Sequence, residues 1–414
     1  MSTLTVYFCG TGSNSFDFAN TNYHQGELVS TLARNHTGHE FADWIIVDGP
    51  GSGNMQEAEK WVKSGNYSGL RGTLQGKGWE ENVQHAVAVV LGVGQVNREQ
   101  HTRSEEKTLR KMGVGVETVP GRLWGTREKN MPLHPRISPQ ALQQKKVEIM
   151  SKNNPLTTIN VLGWSRGAVT CHMFANALAQ TPELAHIPVN IFACDPVPGA
   201  GGFDQHRITI GSNVANYVAI FAADERSRGF TPVLPAIHGS TRAFVTTIPG
   251  RHATLVGNAS VDGDSGFNDL FGPGKVTRNL AEKYLRSWGT PLKNCLDLSD
   301  PQMLISYDKM IGNQAQFTKM HDKSYLSFKK IALTQSGSRS VGQGNGLHTD
   351  FGSLSSLRPD PVFINSHHRL LFGERYQTLY HHFFDGRKIP DQRLQLELFN
   401  LKQMYPHLHK RLTS

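Results

Sequence analysis

The stretch Thr158-Ile-Asn-Val-Leu-Gly-Trp-Ser-Arg-Gly-Ala168 changes character at its centre. Residues 158 to 162 are rich in apolar and β-branched side chains, as a buried strand requires, and Ala168 to Ala179 has helical texture. Between them lies Gly163-x-Ser165-x-Gly167. A serine placed between strand and helix sits on a sharp, strained turn, and small residues two before and two after it remove the clashes such a turn creates. The turn exposes the Ser165 hydroxyl, and the helix after it points its first amides at a developing oxyanion. The pattern reads as a nucleophile elbow. Without the strand and helix around it, the same letters would describe a serine capping a helix.

Five further runs share the strand texture: Leu4–Phe8, Trp44–Val47, Val189–Ala193, Tyr217–Phe221 and Phe244–Ile248. They are apolar without alternation, as in strands covered on both faces. Helical spacing recurs in Glu80–Leu91, Leu280–Trp288 and Gln392–Met404. Strands separated by helices predict an α/β fold with a mainly parallel sheet. Residues 98–150 are polar and carry Pro120, Pro132 and Pro135, which suggests an insertion over the sheet with a helix near Gln140–Ser151. The catalytic unit is expected to span 1–289. A mostly helical extension, 290–414, follows, with a Gly/Ser-rich stretch at about 335–356 that reads as a long mobile loop or linker.

A nucleophilic serine needs a base and an acid, in the chain order serine, acid, histidine for this layout. His252 follows the last strand, where a loop can swing an imidazole over Ser165. His206 and His238 remain possible, whereas His172 lies in the helix after Ser165 and points elsewhere. The pairs His367-His368 and His381-His382 read as surface imidazoles, because adjacent residues diverge too far to share a metal. The acid is Asp195 or Asp224, each at a strand end; position alone does not decide between them, although an acid after the next-to-last strand, here Asp224, is the commoner arrangement in this fold. The oxyanion hole would use the amide of Arg166 and a second from the first glycine-rich turn, at Thr11 or Gly12.

The 414 residues carry 43 Lys and Arg against 34 Asp and Glu, a formal charge of +9 that favours anionic partners. The basic residues are dispersed, and no aromatic-basic interleaving marks a nucleic-acid surface. Neither Gly10-Thr-Gly12 nor Gly49–Gly53 has phosphate-loop spacing, and no cofactor or metal is implied. Four scattered cysteines give no disulfide framework or zinc motif. The N-terminus has no basic region before an apolar one, so the expectation is a protein cytoplasmic as synthesised, whose export would use a signal-peptide-independent route.

Several blocks together resemble the α/β-hydrolase lipases that include type VI secretion phospholipase effectors. Phe8-Cys-Gly-Thr-Gly-Ser-Asn14 resembles their F-D-G-T-x-N turn, with Cys9 where an aspartate usually stands. Val47-Asp-Gly-Pro-Gly-Ser-Gly53 and Gly76-Lys-Gly-Trp-Glu-Glu-Asn-Val83 are similar to the next two blocks. Gly163-Trp-Ser-Arg-Gly-Ala168 is similar to the G-F-S-R-G-A elbow. Asp195-Pro-Val197, Ala223-Asp-Glu-Arg226 and Pro249-Gly-Arg-His252 follow in the family's order, although Ala253-Thr254 replaces its Ser-Asp pair. The resemblance covers about residues 4–288. It implies a Ser165, His252, Asp195 triad, with Asp224 structural and paired to Arg226 or Arg228. It further implies a serine esterase or lipase acting on membrane phospholipid, for which the basic surface would help on an anionic bilayer; a hydrolase of a small soluble ester or thioester and a weakly active binding module are the alternatives. The region beyond 290, with aromatic and basic residues mixed in Phe372–Tyr376 and Tyr380–Phe384, is expected to hold no catalytic residue and either to meet the membrane or cover the site's mouth, or to pack onto the hydrolase as an ordinary helical extension.

Overall fold

A computed structural model describes residues 2–38, 40, 43–50, 78–91, 155–199, 202–261, 270–323 and 337–414. The expected insertion at 98–150, its helix near 140–151 and most of the second glycine-rich loop lie outside them. The described elements are β1 (Ser2–Phe8), α1 (Leu28–Asn35), β2 (Trp44–Val47), α2 (Trp79–Leu91), β3 (Leu156–Trp164), α3 (Arg166–Gln180), β4 (Val189–Cys194), β5 (Val214–Ala222), β6 (Arg242–Ile248) and α4 (Gly272–Ser287). Among the described residues the central sheet has six strands in the order β2-β1-β3-β4-β5-β6, and every pairing is parallel. This is an α/β fold, and all six strands are those anticipated from the sequence.

Alternate residues on each strand feed two separate cores. Leu4, Val6, Phe8, Val161 and Ala193 pack with α2 and α3 on one face. Tyr7, Ile46, Leu162, Phe192 and Ile220 pack with α1 and α4 on the other. Both faces are dry, which is why the sequence shows no alternation of polar and apolar residues. The register brings the strand ends level: Phe8 pairs with Gly163, Trp164 with Cys194, and Ala222 with Ile248. Loops leaving these carboxyl ends converge on one edge, where parallel α/β sheets hold their sites.

The C-terminal region continues the second core. Helices α5 (Asp300–Gly312), α6 (Ser366–Arg375), α7 (Gln377–Phe384), α8 (Asp391–Met404) and α9 (Pro406–Thr413) contribute Met303, Tyr307, Leu371, Phe372, Leu379, Leu401 and Tyr405 to the same cluster as the sheet. Phe372 is thus buried, not presented to a membrane. His368, expected at the surface, is fully buried and stacks on Tyr307 at 4.5 Å. Burial pushes its pKa down to about 3. The reason is helical phase: His368, Leu371 and Phe372 share the face of α6 turned to the core. His367 donates to or accepts from the Tyr307 hydroxyl at 2.8 Å, while His381 and His382 on α7 stay half-exposed.

The Gly/Ser-rich stretch, described from residue 337, is an ordered hairpin of β7 (Ser340–Gln343) and β8 (His348–Asp350). β7 pairs in parallel with the short strand Val233–Leu234. Glycine here serves close approach rather than mobility: a Cβ on Gly342 would run into the Phe203 ring, and one on Gly344 into the backbone of Ala236. Among the described residues no helix is long and apolar enough to cross a membrane.

Gly344→Ala is therefore expected to destabilise the protein by about 1–3 kcal/mol, the usual cost of forcing atoms into a packed site. Urea unfolding monitored by circular dichroism measures it, and an unchanged midpoint would contradict the close approach.

Candidate active site

β3 delivers Ser165 in a backbone conformation rarely adopted by any side-chain-bearing residue, φ 58° and ψ −130°. Such a geometry costs on the order of 1–3 kcal/mol and persists only where its surroundings enforce it. Four backbone hydrogen bonds do so. The Ser165 amide donates to Cys194 O at 3.0 Å, and its carbonyl accepts from the amides of Ala168 at 3.1 Å, Val169 at 3.3 Å and Val197 at 3.2 Å. Gly163 and Gly167 are packed against each other, so that a Cβ on Gly163 would lie 2.5 Å from the Gly167 carbonyl. A Cβ on Gly167 would collide with Phe8 O. The two glycines of the motif are required by backbone contact, as the sequence pattern implies.

β4 delivers Asp195, which also has a positive φ, 42°. Its amide donates to Ile220 O at 2.8 Å. The side chain is fully buried, and each oxygen takes two donors. Oδ1 accepts from the Ala222 amide at 3.1 Å and from Arg339 at 2.6 Å. Oδ2 accepts from His252 Nδ1 at 2.6 Å and from Arg339 at 2.9 Å. Burial alone would raise the carboxyl pKa. The Arg339 guanidinium and the His252 bond outweigh it and hold the pKa below the ordinary carboxylate value.

β6 leads into Pro249-Gly-Arg-His252, and two carboxylates shape that loop. Asp224 Oδ2 accepts from the Gly250 amide at 2.7 Å, and Glu225 Oε2 accepts from the His252 amide at 3.1 Å. Asp224 Oδ1 meets His321 Nε2 at 2.8 Å, in place of the expected pairing with Arg226 or Arg228. Arg226 instead donates to the carbonyls of Gly337, Ala223 and Glu225. The His252 ring lies between Trp164, the residue before Ser165, at 4.9 Å and the ring of Phe230 at 5.1 Å. With Nδ1 bound to Asp195, the ring is held by both its acceptor and its faces.

The structure thus brings Ser165, Asp195 and His252 to one sheet edge and leaves Asp224 off the imidazole. His172 is locked between Arg207 O at 2.9 Å and the Tyr217 hydroxyl at 3.1 Å, and burial lowers its pKa to about 4. His206 and His238 are exposed, the latter bonded to Ser240. At the first turn, Gly12 donates its amide to Pro50 O at 3.0 Å, which removes it as an oxyanion donor. Thr11 N–H has no backbone acceptor among the described residues. The Thr11 hydroxyl accepts from the Arg166 guanidinium at 3.1 Å, which ties this turn to the start of α3. Burial and the nearby Arg207 lower the Arg166 pKa to about 10. No cluster of three or more His, Cys, Asp or Glu suited to a metal occurs among the described residues.

Sequence reasoning missed Arg339, Glu225 and the aromatic pair around His252. Glu225 stood inside a quoted motif and could have been found there. Arg339 lies 144 residues from its partner in a stretch of small residues, with no periodic signal to mark it.

Fold and site together define an α/β protein whose parallel sheet gathers a strained serine, a histidine and a buried aspartate at its carboxyl edge. No protein-family model and no curated protein matches the sequence. Among solved structures, an uncharacterized protein from Pseudomonas aeruginosa is similar at 13% identity and a TM-score of 0.42, over 99% of this chain and 59% of that one. The Tle1 effector bound to the VgrG spike of the type 6 secretion system is similar at 12% identity and a TM-score of 0.29, over 65% of this chain and 51% of that one. The chain therefore spans between half and three-fifths of the length of either.

Because Asp195 has a depressed pKa in the folded state, its stabilisation is complete above the unfolded carboxylate value of about 3.9 and is lost as pH falls through the folded value. Between pH 6 and pH 2.5 the melting temperature of the wild type should fall more steeply than that of Asp195→Asn, with the difference confined to pH below about 4. Parallel slopes would show that the carboxylate is not held anionic by folding.

Proposed function

We propose that the chain is a serine hydrolase that cleaves carboxylic esters through an acyl-enzyme. The observation that carries this reading is the 2.6 Å bond between His252 Nδ1 and the buried Asp195, on the sheet edge where Ser165 sits at positive φ. The bond to Asp195 fixes the tautomer and leaves Nε2 as the basic nitrogen. His252 takes the Ser165 Oγ proton as the serine attacks the ester carbonyl. The oxyanion is received by the amides of Arg166 and Thr11, at the positive end of α3. The imidazolium, stabilised by Asp195, then protonates the departing alcohol, and water activated by the same histidine releases the acid.

A phospholipid is the substrate class we favour. The order and spacing of the motif blocks around Ser165, Asp195 and His252 resemble lipases of secreted-effector type, and a charge of +9 assists work on an anionic bilayer. A soluble ester or thioester is the competing substrate. Turnover of anionic phospholipid vesicles against that of monomeric p-nitrophenyl butyrate separates them: activity on the monomeric ester alone, with intact vesicles, would overturn the lipid assignment.

A fluorophosphonate probe followed by peptide mass spectrometry should label Ser165 and no other serine. Ser165→Ala should abolish labelling and lower turnover by about 10³-fold or more, and His252→Ala should cost nearly as much. Asp224→Asn should act through the loop alone, with a much smaller loss. Labelling of the Ser165→Ala protein at the wild-type level would refute the assignment.

A further inference from the structure

We infer that Arg339, contributed by the C-terminal region, is a positioning residue of this reaction: it clamps the Asp195 carboxylate in the plane and orientation that aim His252 at Ser165. The inference rests on the hydrolase reading and extends it to a residue outside every motif block.

The contact is a two-pronged fork. One terminal nitrogen of Arg339 donates to Asp195 Oδ1 at 2.6 Å and the other to Oδ2 at 2.9 Å. Each nitrogen also donates to a carbonyl, Ala222 O at 2.6 Å and Phe230 O at 2.7 Å. Ala222 ends β5, and Phe230 lies in the loop whose ring packs edge-on against His252. The guanidinium therefore joins the carboxylate, the strand beside it and the wall of the imidazole pocket in one plane. Its own far face is covered by Phe351, 5.6 Å away, and it is only 3% exposed.

The chemistry needs this group. Without Arg339, the buried Asp195 carboxylate would keep two donors, the Ala222 amide and His252 Nδ1. It could then rotate about its Cβ–Cγ bond and carry the imidazole with it. A planar fork matched to both oxygens forbids that rotation, as an ammonium point charge cannot. The guanidinium also places a positive charge beside the Asp195–His252 dyad. Among the described residues, Glu225 also approaches His252 and accepts from its amide, and Arg251 lies 3.5 Å from Glu225. Trp164 and Phe230 supply the uncharged walls. Removing the Arg339 charge thus raises the proton affinity of the dyad as a unit, whichever member binds the proton.

The hairpin fixes where the fork arrives. Phe351 N donates to Arg339 O at 3.1 Å, Gly342 N to Pro232 O at 2.8 Å, and Arg226 holds Gly337 O at 2.9 Å. Residues on both sides of Arg339 are thus pinned to the loop that follows β5.

The test uses the full chain, with p-nitrophenyl butyrate as substrate and rates normalised to fluorophosphonate-titrated Ser165. Normalisation counts only folded, labelled molecules, so loss of folding does not mimic the effect. Arg339→Gln should lower kcat/KM by about 10²-fold, the scale of a misplaced catalytic group. The acidic limb of its pH profile should move to higher pH. Arg339→Lys keeps the charge and loses the fork: its rate should fall by about tenfold or more with the limb nearly unmoved. In an Asp195→Asn background, Arg339→Gln should cost little further, because its target is gone. An active wild type whose Arg339 variants keep wild-type kcat/KM and an unmoved limb would overturn the inference, as would equal losses in both backgrounds. A folded wild type that neither labels at Ser165 nor turns over ester would overturn the hydrolase reading itself, and the positioning role with it.

Discussion

A carboxylate with no access to water has to find its solvation inside the protein, and Asp195 finds it in four donors from three parts of the chain. An uncompensated buried charge costs several kcal/mol, so each donor must be present before the folded state tolerates the anion. That constraint orders much else at the sheet edge. β5 must end where Ala222 can donate, the loop after β6 must bring His252 within 2.6 Å, and the chain must return from residue 339. Breaking one of these contacts leaves a charge stranded, which couples parts of the sequence that share no local interaction.

The same edge stores backbone strain. Ser165 and Asp195 both have positive φ, on adjacent strands, and the Ser165 amide bonds to Cys194 O, the carbonyl just before Asp195. The two turns are thus built against each other. Gly163, Gly167 and Gly10 supply the room: the first two touch, and a Cβ on Gly10 would enter the Trp164 ring. Trp164 in turn packs against His252. Strain in the serine turn and placement of the His252 imidazole are parts of one packing problem, solved by residues too small to resist.

The six sheet strands, the serine turn and the histidine loop were legible because each depends on local composition: apolar runs of strand length and glycines at fixed offsets. The choice between Asp195 and Asp224 was not legible from position, because what separates them is nonlocal. Asp224 lies at a suitable strand end, but its oxygens are taken by Gly250 N and His321. The motif resemblance pointed to Asp195, where the imidazole bond is found. Gly342 and Gly344 misled, because glycine marks close approach as often as mobility, and only the partner surface at Phe203 and Ala236 distinguishes them. His368 misled because a paired-histidine sequence hides helical phase, and the core residue of α6 is one of the two.

The region after residue 290 has two structural duties that arise from one feature of the sheet. Among the described residues β6 is an edge strand, and an open parallel edge exposes unpaired backbone groups. Asn365 meets this at one point: its side-chain amide donates to Thr247 O at 2.9 Å, while its oxygen accepts from His368 N and starts α6. The helices that follow then cover the second face with Phe363, Phe372 and Tyr405. On the way there the chain passes the carboxyl end of the sheet, and Arg339 enters beside Asp195. Covering the second face and neutralising the buried acid are therefore achieved by one chain path. The β7–β8 hairpin itself packs on the opposite core, through Val341 and Phe351, so the chain after residue 337 helps to close both faces of the sheet.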